Sequence, residues 1–329
     1  MTKKINHPIA RIFFLLVAFF PGVLTTNADE KFNPRQVVRP FPAIINPENI
    51  STDQAKKEIR AKELVIGVTV NGESRAYPIN MMSRPTREIV TDSLGGKRIA
   101  VTWCHLCHNS LVFSAEKDGK PITLVVSGML WKSNLVMQDL ETKSLWSHML
   151  GECMRGEWKG TTLDYVPCEI TTWEDWLKRN PKTTSLFLKR TMQRYERDFY
   201  SDLSKFVLIH ADFQNARAWQ LSGLEKHPVL NDAFGKDPLL IVFDKESTSA
   251  RIYSRSIPGL SKYPVLTFDA DAKGTVTDKQ TGSVWNRENA KAISGPLKGR
   301  SLSPLVGTLA KMKAWKSFYP EGSLWPNPG

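Results

Sequence analysis

The 329-residue chain carries 45 Lys and Arg against 33 Asp and Glu, a formal charge of +12, with 41% hydrophobic and 24% charged residues. That balance excludes a polytopic membrane protein and a disordered polar chain, and four cysteines are too few for a disulfide framework at this length. The basic residues are dispersed in short clusters such as Lys56-Lys57 and Lys178-Arg179. This points away from nucleic acid and toward a solvated basic face, for which an anionic envelope surface is the fitting partner.

Residues 1–28 read as a secretory signal peptide. Lys3, Lys4 and Arg11 supply the basic start, Ile12–Phe20 is an unbroken apolar run, and Thr26-Asn27-Ala28 offers small residues for cleavage. The run is too short to span a bilayer, which needs about 20 residues. The expected location is therefore outside the cytoplasm, in the periplasm first and secreted as the alternative. A Pro-rich lead-in follows at 29–63, with a short helix predicted near Thr52–Lys62.

The remaining chain reads as one unit used twice. Thr91-Asp92-Ser93-Leu94-Gly95 matches Asn231-Asp232-Ala233-Phe234-Gly235 at an offset of 140, and Leu111-Val112-Phe113-Ser114 matches Arg251-Ile252-Tyr253-Ser254 at the same offset. One residue out of phase, Thr142, Ser144 and Trp146 match Thr281, Ser283 and Trp285, and Trp176 matches Trp315. The colinear order predicts a first β-rich repeat at 64–181, a charged helical linker at 182–205, a second repeat at 206–320 and a tail at 321–329. Within the first copy, Leu64–Val70, Asn71-Gly72 and Ser74–Tyr77 form a hairpin signal. Strands are predicted at Arg98–Trp103, Ser110–Phe113, Ile122–Val126, Leu135–Leu140 and Ser144–Trp146. A closing helix is capped by Thr171 or Thr172 with Glu174 as the answering acid, and Trp173, Trp176 and Leu177 fall on its buried face. The fold class is mainly β, two tandem repeats each ending in a short helix, with α+β as the alternative.

The copies differ in their cysteines. Cys104 falls opposite Asp244 and Cys107 opposite Ser247, and Cys153 and Cys168 have no cysteine counterpart either. A scaffold element is useful in both copies, whereas a functional site is needed once, so Cys104-His105-Leu106-Cys107-His108 marks the candidate site. Four readings fit it. Two thiolates in one turn suit a soft metal, copper before zinc, with His108, Met137 and His148 as the next ligands and Trp103, Trp131 and Trp146 as walls. A Cys-x-x-Cys pair also suits dithiol redox chemistry, in which Cys104 and Cys107 are the reacting groups. The five residues match the attachment pattern of c-type haem, which a motif between strands argues against. Structural disulfides, Cys104–Cys107 and Cys153–Cys168, are the fourth reading. Whether the protein is an enzyme stays open. No Ser-His-Asp order, phosphate-cradling glycine loop or His-Glu-x-x-His helix appears.

Around this motif the chain resembles a bacterial family catalogued as domain of unknown function 3179. The resemblance runs through Ala43–Pro47, Val65–Val68, Arg75–Pro78, Glu88–Asp92, Cys104–Cys107, Ser127-Gly128, Asn134–Met137, Asp139, Thr142, Ser144–Ser147 and Thr171–Trp173. It implies a common fold and no particular activity. The family often carries Gly at the position of His108 and Gln at that of His148, and usually His at that of Arg87. The resemblance therefore implies that the haem pattern is incidental. It also implies that His108 or His148 would have to replace a ligand if the family's His is one.

Overall fold

In the computed structural model, Asn71 and Gly72 both adopt left-handed backbone angles, φ 49° and 85°. They join Leu64–Val70 to Glu73–Pro78 with Val70 opposite Glu73, the tight turn their side chains favour. The structure describes residues 32–212, 215–271 and 274–326. The expected signal segment lies outside them. From Asn33 onward the chain clusters as one unit. Strand exceeds helix, 45% against 14%, which decides for the mainly β class over α+β. Among the described residues no helix is long and apolar enough to cross a membrane.

Among the described residues each copy contributes three sheets of four or five strands, and the first adds a two-stranded ribbon of Glu116–Lys117 and Lys120–Pro121. In the first copy the hairpin is flanked by Cys168–Thr172 and Thr184–Leu186. A second sheet runs Tyr165–Val166, Asn109–Ser114, Lys97–Cys104, Ile89–Leu94 and Ile44–Ile45, and a third centres on Leu124–Trp131 and Asn134–Asp139. The second copy repeats the scheme. Phe206–Ala211 and Ala216–Gln220 lie between Thr308–Lys311 and Ser323–Trp325. Val229–Phe234, Asp237–Asp244 and Ser249–Ser254 form its second sheet with Pro304–Leu305, and Phe268–Ala270 opens the third.

Buried polar contacts repeat with the strands. Asp92 accepts from Tyr77 Oη at 2.9 Å and Arg75 at 2.6 Å, as Asp232 accepts from Trp219 Nε1 at 2.7 Å and from Arg217 at 2.8 Å. Asp139 accepts from Trp146 Nε1 at 2.8 Å and Thr142 N at 2.6 Å, as Asp278 does from Trp285 at 2.9 Å and Thr281 at 2.7 Å. The two copies also share a core. Val101, Trp103 and Val112 pack in one cluster with Leu208, Ile241, Ile252 and Leu309. Full burial of a Leu- or Phe-sized side chain contributes roughly 1.5–3 kcal/mol, so this shared cluster welds the copies together. Their contact is reciprocal: Thr172 N donates to Ser247 O at 3.1 Å, and its counterpart Lys311 N donates to Cys107 O at 3.0 Å.

Three segments differ from expectation. The lead-in belongs to the sheets: Arg35–Gln36 pairs with Met129-Leu130, Ile44–Ile45 runs parallel to Val90-Thr91, and Asn49–Ile50 pairs with Ser185-Leu186. Its helix spans Thr52–Glu58, closed by a capping box between Ser51 and Gln54. The charged segment 182–205 is not a helical linker. Thr184–Leu186 is a strand beside Arg75-Ala76, and Tyr195 and Tyr200 are buried in the shared core. Burial of a Thr-Ser-Leu run against a sheet edge outweighs the helical preference of the flanking charges. The equivalent strand in the second copy, Ser323–Trp325, occupies the expected tail and runs parallel to Arg217–Trp219. The repeats therefore continue past Pro181 and Pro320. The closing helix of the first copy spans Trp173–Arg179, and Thr172 Oγ1 accepts from Asp175 N at 3.4 Å. Asp175, not Glu174, occupies the third helical position, and its carboxylate is engaged by Thr171 and Arg179. Trp173 and Trp176 are buried as expected, with Leu177 packed beside them.

Candidate dithiol site

The motif is the tip of a hairpin between Lys97–Cys104 and Asn109–Ser114, with Cys104 directly opposite Asn109. His108 N donates to Cys104 O at 2.8 Å and closes the turn. His108 holds φ 53°, in the left-handed region that favours glycine. That backbone requirement accounts for the Gly often present here in the resembling family.

Both sulfurs are enclosed: Cys104 is 1% and Cys107 3% exposed. The two thiols interact with each other, and the pair is asymmetric. Burial raises the Cys104 thiol well above its ordinary value, and hydrogen bonding to Cys107 adds to the shift. Cys107 is lowered, chiefly by the hydrogen bond from Cys104 and, against burial, by the Asn134 amide and the charge of Lys311. As a thiol, Cys107 donates to Ser133 O at 3.3 Å. All four cysteines are free thiols. Cys153, pushed up to about 11 by burial, lies on the strand opposite Trp146. Cys168, pushed up to about 12 by burial, lies opposite Val68 in a different sheet, so the expected Cys153–Cys168 clip is not formed.

Two residues outside the motif hold the turn. Glu88, buried at the foot of the neighbouring strand, accepts from His105 N at 3.1 Å and pairs with His105 Nδ1. The pairing raises His105, against partial burial. Lys311, from the second copy, donates through its backbone to Cys107 O and through Nζ to Leu106 O at 2.9 Å. Sequence reasoning reached Glu88 only as part of a resemblance and did not single out Lys311. The available signal for Lys311 was its register opposite Thr172 in the duplication.

The other predicted residues are distributed around the hairpin. The His108 ring enters an aromatic cage, 4.5 Å from Phe199 and 6.2 Å from Trp103 between centroids. Burial, reinforced by Lys311, lowers it to about 4, so it is neutral at pH 7. Trp103 faces the shared core, and Cys104, the next strand residue, points to the opposite face. On that face His148, fully buried, contacts Thr102 Oγ1 through Nε2 at 2.6 Å and has no partner at Nδ1. Burial lowers it to about 3. Its neighbour Met149 accepts at Sδ from Asn109 at 3.6 Å, which brings a thioether beside the residue opposite Cys104. Met137 is fully buried, paired across strands with Val126 and Trp146. Trp146 holds Asp139, while Trp131 packs edge-on against Phe318 of the second copy. Among the described residues, no three His, Cys, Asp or Glu side chains converge in a metal-holding group. Buried polar atoms on Asn109 and Ser110 lack partners, so the surroundings of the pair are polar as well as enclosed.

No curated protein and no solved structure matches the chain. The family model for proteins of unknown function DUF3179 matches residues 40–205 and matches again at 206–326. Those two segments meet at the junction between the copies and together cover most of the chain, so the protein belongs to the DUF3179 family and carries its domain twice.

Proposed function

We propose that Cys104 and Cys107 form a dithiol–disulfide couple in an exported protein, with Cys107 as the attacking thiolate. The observation that carries this reading is the asymmetry of the pair. Cys107 has three groups favouring its thiolate, the Cys104 thiol, the Asn134 amide and Lys311, while burial keeps Cys104 protonated. A dithiol needs that division, since the thiolate is the nucleophile and the second thiol resolves the mixed disulfide. In the step, Cys107 sulfur attacks one sulfur of a substrate disulfide and the other leaves as a thiolate that takes up a proton. Cys104 then gives up its proton and attacks Cys107, releasing the second substrate thiol. The substrate is reduced by two electrons and the protein ends as the Cys104–Cys107 disulfide. The enclosure of both sulfurs favours a small substrate over a folded protein. Alkylation of Cys107 against pH, in wild type and Cys104→Ser, tests the reading together with a thiol–disulfide redox titration. A Cys107 midpoint below that of an ordinary thiol and a reversible couple are expected. A pair that cannot be oxidised reversibly ends it.

A soft-metal site is the second reading, copper before zinc. It is favoured by the Met149 thioether beside Asn109 and by the unpartnered His148 Nδ1 on the face of Cys104. Two thiolates from one turn suffice for a monovalent soft ion. Metal content of the reduced protein, wild type against Cys104→Ser/Cys107→Ser, decides it: no thiol-dependent copper in either protein removes this reading.

A further inference from the structure

A cleft of about 610 Å³ opens where the strand Phe206–Ala211 and the helix Met312–Phe318 of the second copy meet. Its lining is unusual in charge. Four lysines line it, Lys205, Lys311, Lys313 and Lys316, with Phe206 and Ser317 between them, and no acidic side chain among the described residues lines it. Lys205 has its partner at the rim, the exposed Asp202. Lys313 and Lys316 are exposed, and neither makes an ion pair among the described residues.

Two of the lining residues connect the cleft to the turn that carries the dithiol, although neither cysteine lines it. Lys311 lines it and holds the carbonyls of Leu106 and Cys107. Ser317 lines it and accepts from Lys132 at 2.9 Å, next to Ser133, whose carbonyl receives the Cys107 thiol. A ligand seated there would lie against Lys311 and Ser317, which bond directly to the turn of the pair and to Lys132 beside Ser133. The unpaired Lys313 and Lys316 repel each other until an anion enters, and a concave basic wall concentrates small anions. A flat membrane surface cannot enter such a cleft.

We infer that this cleft admits an anionic low-molecular-weight disulfide to Cys107, an inference that rests on the dithiol reading and names its substrate class. The exchange is the one written above: the small disulfide is cleaved to two thiols and the Cys104–Cys107 disulfide forms.

The test uses the reduced full chain and compares its oxidation by glutathione disulfide, which is anionic, with that by neutral hydroxyethyl disulfide and cationic cystamine. At low salt the anionic reagent is expected to react about tenfold faster relative to the neutral one than with a free model thiol, an advantage that added salt removes. In Lys313→Gln/Lys316→Gln the anionic-to-neutral ratio should fall toward that of the model thiol, and Lys313→Arg/Lys316→Arg should restore it. Calorimetry of glutathione disulfide with Cys107→Ser reads the cleft without the chemistry. An unchanged ratio in the Gln variant overturns the inference. So does failure of glutathione disulfide to bind Cys107→Ser while hydroxyethyl disulfide still oxidises wild type, a result that leaves the dithiol reading standing. Lysine-dependent binding of phosphatidylserine vesicles without binding of glutathione disulfide overturns it in favour of a membrane partner. If none of the three disulfides oxidises the pair, the dithiol reading itself falls and the substrate assignment falls with it.

Discussion

The asymmetry of the two thiols comes from their surroundings rather than from their spacing. Cys-x-x-Cys was legible in the sequence because its members are adjacent and absent from the second copy. Glu88 and Lys311 were not legible as partners, because each reaches the turn from another strand and Lys311 from another copy. His108 and His148 were legible as imidazoles near the motif, but composition cannot tell on which face of a hairpin a ring lies. Their burial has a consequence that can be measured. His148 is wholly buried and lowered to about 3, so the native protein refuses a proton that the unfolded chain accepts below about 6.5. Between those values the unfolded state binds more protons, so this group lowers stability as pH falls through the window and has no effect above it. The slope from one such group is about 1.4 kcal/mol per pH unit. Urea unfolding at pH 7 and pH 5 should therefore show His148→Gln losing less stability on acidification than wild type, by about 2 kcal/mol. Equal losses in the two proteins would mean that His148 is protonated in the native state.

At the scale of elements, turns and paired strands followed from alternation and Asn-Gly chemistry, so the hairpins appeared nearly where expected. Short strands added to a sheet edge did not. Thr184–Leu186 and Ser323–Trp325 are three residues each, too short for a period-2 pattern, and each is defined by the edge it completes. The lead-in strands were missed for the same reason. The Thr-x-Ser-x-Trp match between copies was legible as repetition, and the structure supplies its cause. Asp139 and Asp278 each gather a Thr backbone N–H, a Thr hydroxyl and a Trp indole at one buried carboxylate. Truncating Asp139 leaves a buried indole N–H and an amide N–H without acceptors, each costing about 1–3 kcal/mol. Asp139→Ala is therefore expected to lower unfolding free energy by about 3 kcal/mol, and Asp139→Asn, which retains an acceptor oxygen, by less. Chemical denaturation of the two variants checks the order. Equal losses would show that the negative charge, not the acceptor geometry, holds the corner. A tighter constraint acts at Gly67, where an added Cβ would lie 2.3 Å from the Trp176 ring. Trp176 is itself packed in the cluster that anchors the N-terminal helix. Gly67→Ala should cost about 1–3 kcal/mol through overpacking, and a value near zero would mean that the closing helix can shift outward.

For the whole molecule, the duplication explains why a protein with one cysteine pair retains two copies of its unit. Each copy places the end of the strand before its closing helix against the other's hairpin tip, so the backbone contact Lys311–Cys107 is the counterpart of Thr172–Ser247. The second copy lacks both cysteines, but it supplies the cation whose charge acts on Cys107, while the first copy places a neutral threonine at the matching point. Repetition was visible in the sequence, but the exchange of strands was not, because offsets reveal equivalence and not contact. This division of labour predicts a shift in chemistry from a residue some 200 positions away from the thiols. Lys311→Gln removes a charge that favours the Cys107 thiolate, so the pH midpoint for Cys107 alkylation should rise. A shift of one pH unit reduces the thiolate fraction tenfold on the acid side of the midpoint, and the slowing at pH 7 should be roughly three- to tenfold. Lys311→Arg retains the charge and should recover most of the rate. The backbone donation to Cys107 O is present in all three proteins, which separates charge from scaffold. If Lys311→Gln slows alkylation equally at every pH, the midpoint has not moved. The lysine would then act through the shape of the turn, and the second copy would contribute packing to the site rather than electrostatics.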